Sequence, residues 1–156
     1  MKTFITTATI PHVSFISKNM RADDLMELKA VGKINPYQAL MAGYLSSRPF
    51  CYCGMMDSTP FTLFGVVPVS RNPDIGSIWL LGTDVLTEKV PISFLRWSKK
   101  FLPEMIEPYD MVCNMVHEKN VVHVKWLKWL GFKFIRKIIY GPSNETFLEF
   151  ARLNHV

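Results

Sequence analysis

The sequence predicts an α/β domain: a mixed, mostly antiparallel sheet flanked by helices. Apolar residues recur at helical spacing in four stretches, short β-rich apolar runs lie between turn residues, and the two patterns alternate along the chain in the order βααβββαβαββ. No internal repeat, low-complexity tract or Gly/Ser linker interrupts the series, so one domain over 1–156 is expected.

The Thr-rich opening and Val13 to Ile16 favour an extended first strand, because β-branched side chains fit a pleated surface. Arg21 to Ala30 reads as a short helix. Asp23 and Asp24 suit its positive N-terminal end, Leu25 and Leu28 fall on one side, and Gly32 ends it. Asn35 caps the next helix and Pro36 fits its first turn, ahead of a stripe of Tyr37, Leu40, Met41, Tyr44 and Leu45.

Between 50 and 81 the period changes. Phe50 to Cys53, Phe61 to Val69 and Ser77 to Leu81 are short apolar runs separated by Asp57-Ser58-Thr59-Pro60 and Asn72-Pro73-Asp74, which predicts three antiparallel strands. A third helix carries Phe94, Leu95, Ser98, Phe101, Leu102 and Met105. Met111 to Val116 is a buried strand, and Asn120 opens a fourth helix that places Leu127 and Leu130 in the core and stops at Gly131. Phe134 to Tyr140 and Thr146 to Leu153 flank Gly141-Pro142-Ser143-Asn144 as a closing strand pair.

Composition excludes several classes. With 49% hydrophobic and 20% charged residues the 156-residue chain can bury a core without disulfides or a structural metal, and it lacks the signature of disorder. No apolar run reaches the roughly 20 residues of a membrane span, and Met1 to Ile16 lacks the build of a secretory signal. Cys51, Cys53 and Cys113 do not have zinc or redox spacing, and read as free thiols in a reducing compartment. The formal charge is +5, with Lys119, Lys125, Lys128, Lys133, Arg136 and Lys137 close together. That patch reads as a solvated face, and no specific nucleic-acid partner is expected. Walker, Gly-x-Ser-x-Gly and dinucleotide motifs are absent, as is a metal-ligand set.

The order of elements resembles that of the GNAT N-acyltransferases, and Asn120 to Phe132 resembles their late helix motif of Asn, apolar residues and Gly-Phe. More narrowly, Trp79 to Asp84, Phe94 to Arg96 and Asn114 to Phe132 resemble a GNAT-like family of short-tailed bacteriophages. That family includes internal virion proteins and proteins designated acetyltransferases. The resemblance implies acetyl-CoA as candidate cofactor, with Asn120, His123, Gly82 and Thr83 as candidate contacts. His117 and Glu118 become the candidate catalytic pair, because acylation of an ammonium needs a base beside the acyl group; a structural hydrogen-bonding role for His117 is the alternative.

Two positions depart from the GNAT pattern. Leu81 to Glu88 holds one glycine and the acids Asp84 and Glu88 where the family has a glycine-rich pyrophosphate loop, and Leu127 stands where many members have a tyrosine acid. The leading expectation is therefore a phage-encoded protein that binds a virion or host protein during infection, in the host cytoplasm or the virion, with a degenerate acyl-CoA site. The alternative is an active acyl-CoA-dependent N-acyltransferase acting on a host protein or a small amine.

Overall fold

A computed structural model describes residues 2–33, 35–89 and 91–155, apart from the Pro91 side chain. The described elements run β1 (Thr3–Thr7), α1 (Ile10–Lys18), α2 (Ala22–Ala30), α3 (Pro36–Ser46), β2 (Tyr52–Met56), β3 (Thr59–Val69), β4 (Asn72–Gly82), α4 (Val85–Glu88), α5 (Pro91–Ile106), β5 (Met111–His117), α6 (Val121–Trp129), β6 (Lys133–Tyr140) and β7 (Glu145–Leu153). The strands form one seven-stranded sheet in the order β1-β2-β3-β4-β5-β7-β6. Only β4 and β5 pair in parallel; every other neighbouring pair is antiparallel.

The mostly antiparallel sheet and its flanking helices follow the sequence expectation, but the first strand does not lie at Val13 to Ile16. That segment is helix α1, and the strand is Thr3–Thr7. Propensity loses here to spacing and capping. Val13 and Ile16, three residues apart, are fully buried on one helical face, Pro11 sits in the first turn, and His12 Nδ1 accepts the Thr9 N–H at 3.1 Å. The short α4 is a second addition to the expected order. The Asn72-Pro73-Asp74 segment opens β4, and the turn before it is Ser70-Arg71.

The sheet separates two cores. On one face, α1, α2 and α3 bring Val13, Ile16, Leu28 and Leu40 against Cys53, Met55 and Leu63. On the other, α5 and α6 bring Phe94, Leu102, Met105, Leu127 and Leu130 against Phe64, Val66, Val112, Val116 and Phe150. Helix ends follow local chemistry. Asn35 Oδ1 accepts the Gln38 N–H at 3.1 Å, and Gly131, at φ +85, lets the amides of Gly131 and Phe132 close on the carbonyls of Lys128 and Leu127.

Candidate functional site

The feature that creates a site is the way β4 and β5 part. They pair at Ile75 with Met111, Gly76 with Val112 and Ser77 with Cys113; beyond that register β4 runs on to Gly82 and β5 to His117 without pairing to each other. Asn114 Nδ2 donates to the Ile78 carbonyl at 2.8 Å, where the two strands begin to diverge. The opening widens into a cavity of about 480 Å³, a size suited to a small molecule. Its lining comes from both faces of the sheet: Glu27, Leu28 and Val31 of α2 and its end, small residues of α3, and Phe94, Leu102 and Leu127 of α5 and α6.

A buried polar cluster closes one end of this opening. Arg21 is 4% exposed and its Nη1 donates to Asp24 Oδ1 at 2.7 Å; Asp24 Oδ2 in turn accepts the Gly82 N–H at 2.8 Å. Arg21 also donates to Asn120 Oδ1 at 3.4 Å and lies 3.1 Å from His123 Nε2. A guanidinium has no acceptor, so Nε2 of His123 is the accepting nitrogen and the ring is neutral. Burial, then the Arg21 charge, push its pKa down to about 3. His123 lines the cavity as a fixed polar neighbour and has no free lone pair on Nε2.

Asn120 occupies the position before α6, but its side chain does not cap that helix. Fully buried, it turns inward, accepting from Arg21 and donating from Nδ2 to Glu27 Oε2 at 2.7 Å. Glu27 thereby faces the cavity with its carboxylate anchored on one side. Burial raises its pKa to about 7, with the Asp24 charge acting in the same direction; hydrogen bonds from Asn120 and the His117 backbone N–H, together with the Arg21 charge, oppose the shift. The result is a carboxyl group poised near neutrality inside a mostly apolar cavity.

The sequence-derived candidates divide. Asn120 and His123 come together in the cluster, and His123 lines the cavity. Gly82 and Thr83 are tied to scaffold: the Gly82 N–H is held by Asp24, the Thr83 N–H donates to the Phe61 carbonyl at 2.9 Å, and Thr83 bridges to Met20. His117 is 2% exposed and does not line the cavity. Its Nε2 pairs with Glu145 Oε1 at 2.8 Å, its Nδ1 accepts the Lys119 N–H at 3.1 Å, and its ring meets Phe147 edge-on. Glu118 also stands outside the lining, 3.9 Å from Lys137.

Sequence reading passed over Arg21, Asp24 and Glu27. A usable signal existed: Asp24, Glu27, Leu28 and Val31 recur at i, i+3, i+4 and i+7, one helical face. Two of its four positions are acidic, so the hydrophobic pattern picks out Leu25 and Leu28 instead; Leu25 is 40% exposed.

The fit to an acyl-CoA differs along the ligand. The parted strands leave backbone edges and an apolar cavity that suit an extended chain ending in a thioester. The segment after β4 does not offer an amide cradle for phosphates. Besides the amides of Gly82 and Thr83, those of Leu86, Thr87, Glu88 and Lys89 donate to carbonyls within the segment, and Asp84 and Glu88 are exposed there. Among the described residues no group of three or more His, Cys, Asp or Glu could hold a metal ion, and no helix is long and apolar enough to cross a membrane.

No protein-family model and no curated protein matches this sequence. Solved structures do match its fold. The chain is similar to a GNAT-family acetyltransferase from Streptococcus pneumoniae, with a TM-score of 0.65 and 10% identity over 98% of this chain and 100% of that one. It is similar to the ribosomal-protein-S18-alanine N-acetyltransferase from Escherichia coli at TM-score 0.68 and 12% identity, covering 97% and 94% of the two chains. The aminoglycoside acetyltransferase AAC(6')-Ib in complex with coenzyme A gives TM-score 0.69 and 9% identity over 98% and 95%. A match of this extent, together with the parting of β4 and β5 inside a seven-stranded sheet, shows that the chain has the GNAT acetyltransferase fold.

Proposed function

We propose that this chain is an acyl-CoA-dependent N-acyltransferase with Glu27 as the group that takes the proton from the acceptor amine. The observation that carries the reading is a half-buried carboxyl group, its pKa raised to about 7, lining the cavity where β4 and β5 part. The fold similarity to acetyltransferases, among them one in complex with coenzyme A, supports the same reading. It also favours acyl transfer over the virion- or host-binding role first expected; of the narrower phage resemblance, the similar structures support only the GNAT fold.

When bound, an acyl-CoA supplies a thioester whose carbonyl carbon gains a bond to the amine nitrogen as its bond to sulfur breaks. The residues of the chain prepare the nitrogen. An amine arrives as ammonium and cannot attack until it loses a proton. Glu27 in its ionised form receives that proton, and a pKa near neutrality lets it accept the proton from substrate and release it to solvent afterwards. Asn120 holds the Glu27 carboxylate by one oxygen, Arg21 holds Asn120, and Asp24 holds Arg21. Asn120, Arg21 and Asp24 are positioning residues in this scheme. His117 and Glu118 have no place in it, since both stand outside the cavity lining and both His117 ring nitrogens are engaged.

The donor's thioester end would be held where the strands part, with Asn114 and Met115 as lining residues. The donor's phosphates, lacking an amide cradle at 82–89, would rely on side-chain cations, so binding is expected to be weak and salt-sensitive. Calorimetric titration with acetyl-CoA, followed by release of free thiol in the presence of a panel of primary amines, tests the reading. Thiol release that needs an amine and drops by a factor of about 10²–10⁴ in Glu27→Gln is the expected result. No amine-dependent thiol release at millimolar acetyl-CoA would overturn it.

A further inference from the structure

The acceptor half of the cavity carries a narrow chemical specification. Among the described lining residues Glu27 is the single carboxylate and Lys33 the single ammonium. Apart from neutral His123, whose Nε2 is taken by Arg21, the wall beside Glu27 is apolar or small: Leu28 and Val31 from α2 and its end, Ala39 and Gly43 from α3, and Trp79 and Leu81 from β4. Gly43 is required for this wall, because a side chain there would meet the Trp79 ring at 2.7 Å. The small α3 residues thus bring the helix onto the indole, whose Nε1 is held by Ser47 Oγ at 2.9 Å. Trp79 is a fixed aromatic surface in the cavity wall.

A polycation would have to leave several ammonium groups against this wall with one carboxylate to meet them, and each unpaired buried charge is costly. Lys33 adds repulsion. An acidic or phosphorylated acceptor would bring its anion toward Glu27, with the same objection. A single ammonium on an apolar body satisfies the site on both counts: the charge meets Glu27, and the body replaces water over Trp79, Leu28 and Leu81.

We propose that the acceptor is a primary monoamine borne on an apolar, aryl or alkyl, body, with Glu27 receiving the ammonium and the Trp79, Leu28, Leu81 wall receiving the body. The proposal rests on the reading of this cavity as the acyl-transfer site, and it fails separately from that reading.

The test uses the full chain with 2-phenylethylamine as the probe, and 2-phenylethanol, spermidine and kanamycin as comparisons. Binding is followed by NMR or calorimetry without a donor, and acyl transfer by thiol release from acetyl-CoA. Phenylethylamine should bind at least about tenfold more tightly than 2-phenylethanol, the difference of roughly one charge pair in a poorly hydrated site. That advantage should vanish in Glu27→Gln. A second variant guards against loss of folding: Ala42→Glu adds a carboxylate at an exposed position of α3 that lines the cavity, and should shift the preference toward spermidine. Spermidine or kanamycin binding the wild-type chain as tightly as phenylethylamine, or no binding of phenylethylamine at all, overturns the proposal. Glu27-dependent phenylethylamine binding without acyl transfer upholds the acceptor site and removes the acyltransferase reading. Transfer with a higher kcat/KM for the polycations removes the acceptor class and keeps the acyltransferase.

Discussion

Asn120 Nδ2 donates to Glu27 Oε2 at 2.7 Å, joining the entry to α6 with the middle of α2 across 93 positions of sequence. This one bond converts a residue that could have been a simple helix cap into the holder of the cavity carboxylate. It aims Glu27 at the opening between β4 and β5 and fixes one of its two oxygens. Removing the amide donor should therefore be felt in acid–base behaviour as much as in stability. In Asn120→Ala, Glu27 loses the hydrogen bond that does most to hold its pKa down, and the acid limb of kcat/KM should move to higher pH. A pH profile with the limb unchanged would show that the bond does not tune the base.

The acid limb itself is the second prediction. In the proposed reaction ionised Glu27 is the working form, so kcat/KM should rise with pH and level off above the Glu27 pKa of about 7. His123 cannot supply this limb, because its pKa lies at about 3 and Arg21 occupies its lone pair. In Glu27→Gln the limb should be absent from whatever activity remains. Retention of a limb near pH 7 in that variant would assign it to another group.

Stability should show the same carboxyl with the opposite slope. Glu27 is raised from 4.5 in its unperturbed state to about 7 in the fold, so between those values the folded chain holds a proton that the unfolded chain has released. The resulting stabilisation is complete below pH 4.5 and is lost as pH rises through 7. A shift of this size corresponds to an effect on the order of 3 kcal/mol. Urea unfolding of wild type and Glu27→Gln at pH 4 and pH 8 should show the glutamine variant gaining relative stability at the higher pH. A pH-independent difference between the two would contradict the burial of an ionisable carboxyl there.

Two arginines set a contrast between buried and surface charge. Arg21→Ala leaves the fully buried Asp24 without its guanidinium, and should cost about 3–5 kcal/mol. Arg136 pairs with Glu149 at 3.2 Å, but its side chain is 67% exposed, so Arg136→Ala should cost less than about 1 kcal/mol. Chemical denaturation of both variants at neutral pH measures the difference. Equal losses would mean that the Arg21 cluster is more hydrated than its burial indicates.

Packing and backbone geometry give the last pair of tests. Leu127, on the buried face of α6, is 7% exposed, and Leu127→Ala should lower stability by about 2–5 kcal/mol. Gly131 and Gly141 both have φ +85. A methyl at Gly131 meets nothing within 4 Å, so Gly131→Ala should cost only the left-handed backbone penalty of about 1–2 kcal/mol. At Gly141 the same methyl would run into the Ala30 carbonyl, forcing the β6–β7 turn off the end of α2, and the loss should be clearly larger. Thermal melts of the two alanine variants that coincide would argue against this close approach.

The amino-acid sequence by itself determined whatever depends on near neighbours. Seven strands, the Asn35 cap, the left-handed stop at Gly131, and Leu127 and Leu130 as core residues all follow from periodicity and turn chemistry within a few positions. The order of elements was legible for the same reason, and the GNAT arrangement entered through the resemblance of that order and of Asn120 to Phe132 to a known family. Local signals conflicted at Val13 to Ile16, where β-branched propensity suggested a strand and burial of one face against the sheet made a helix. Which polar groups meet at the site was decided by the tertiary structure. Arg21 meets Asn120 across 99 positions, and Asp24 meets Gly82 across 58. Local pattern assigns charged residues to the surface, and only the folded packing of α2, β4 and α6 supplies the partners that let Arg21 and Asp24 be buried and Glu27 half-buried beside a cavity. Other long-range contacts engage the remaining candidates: the Gly82 N–H meets Asp24, the Thr83 N–H meets the Phe61 carbonyl, and His117 Nε2 meets Glu145.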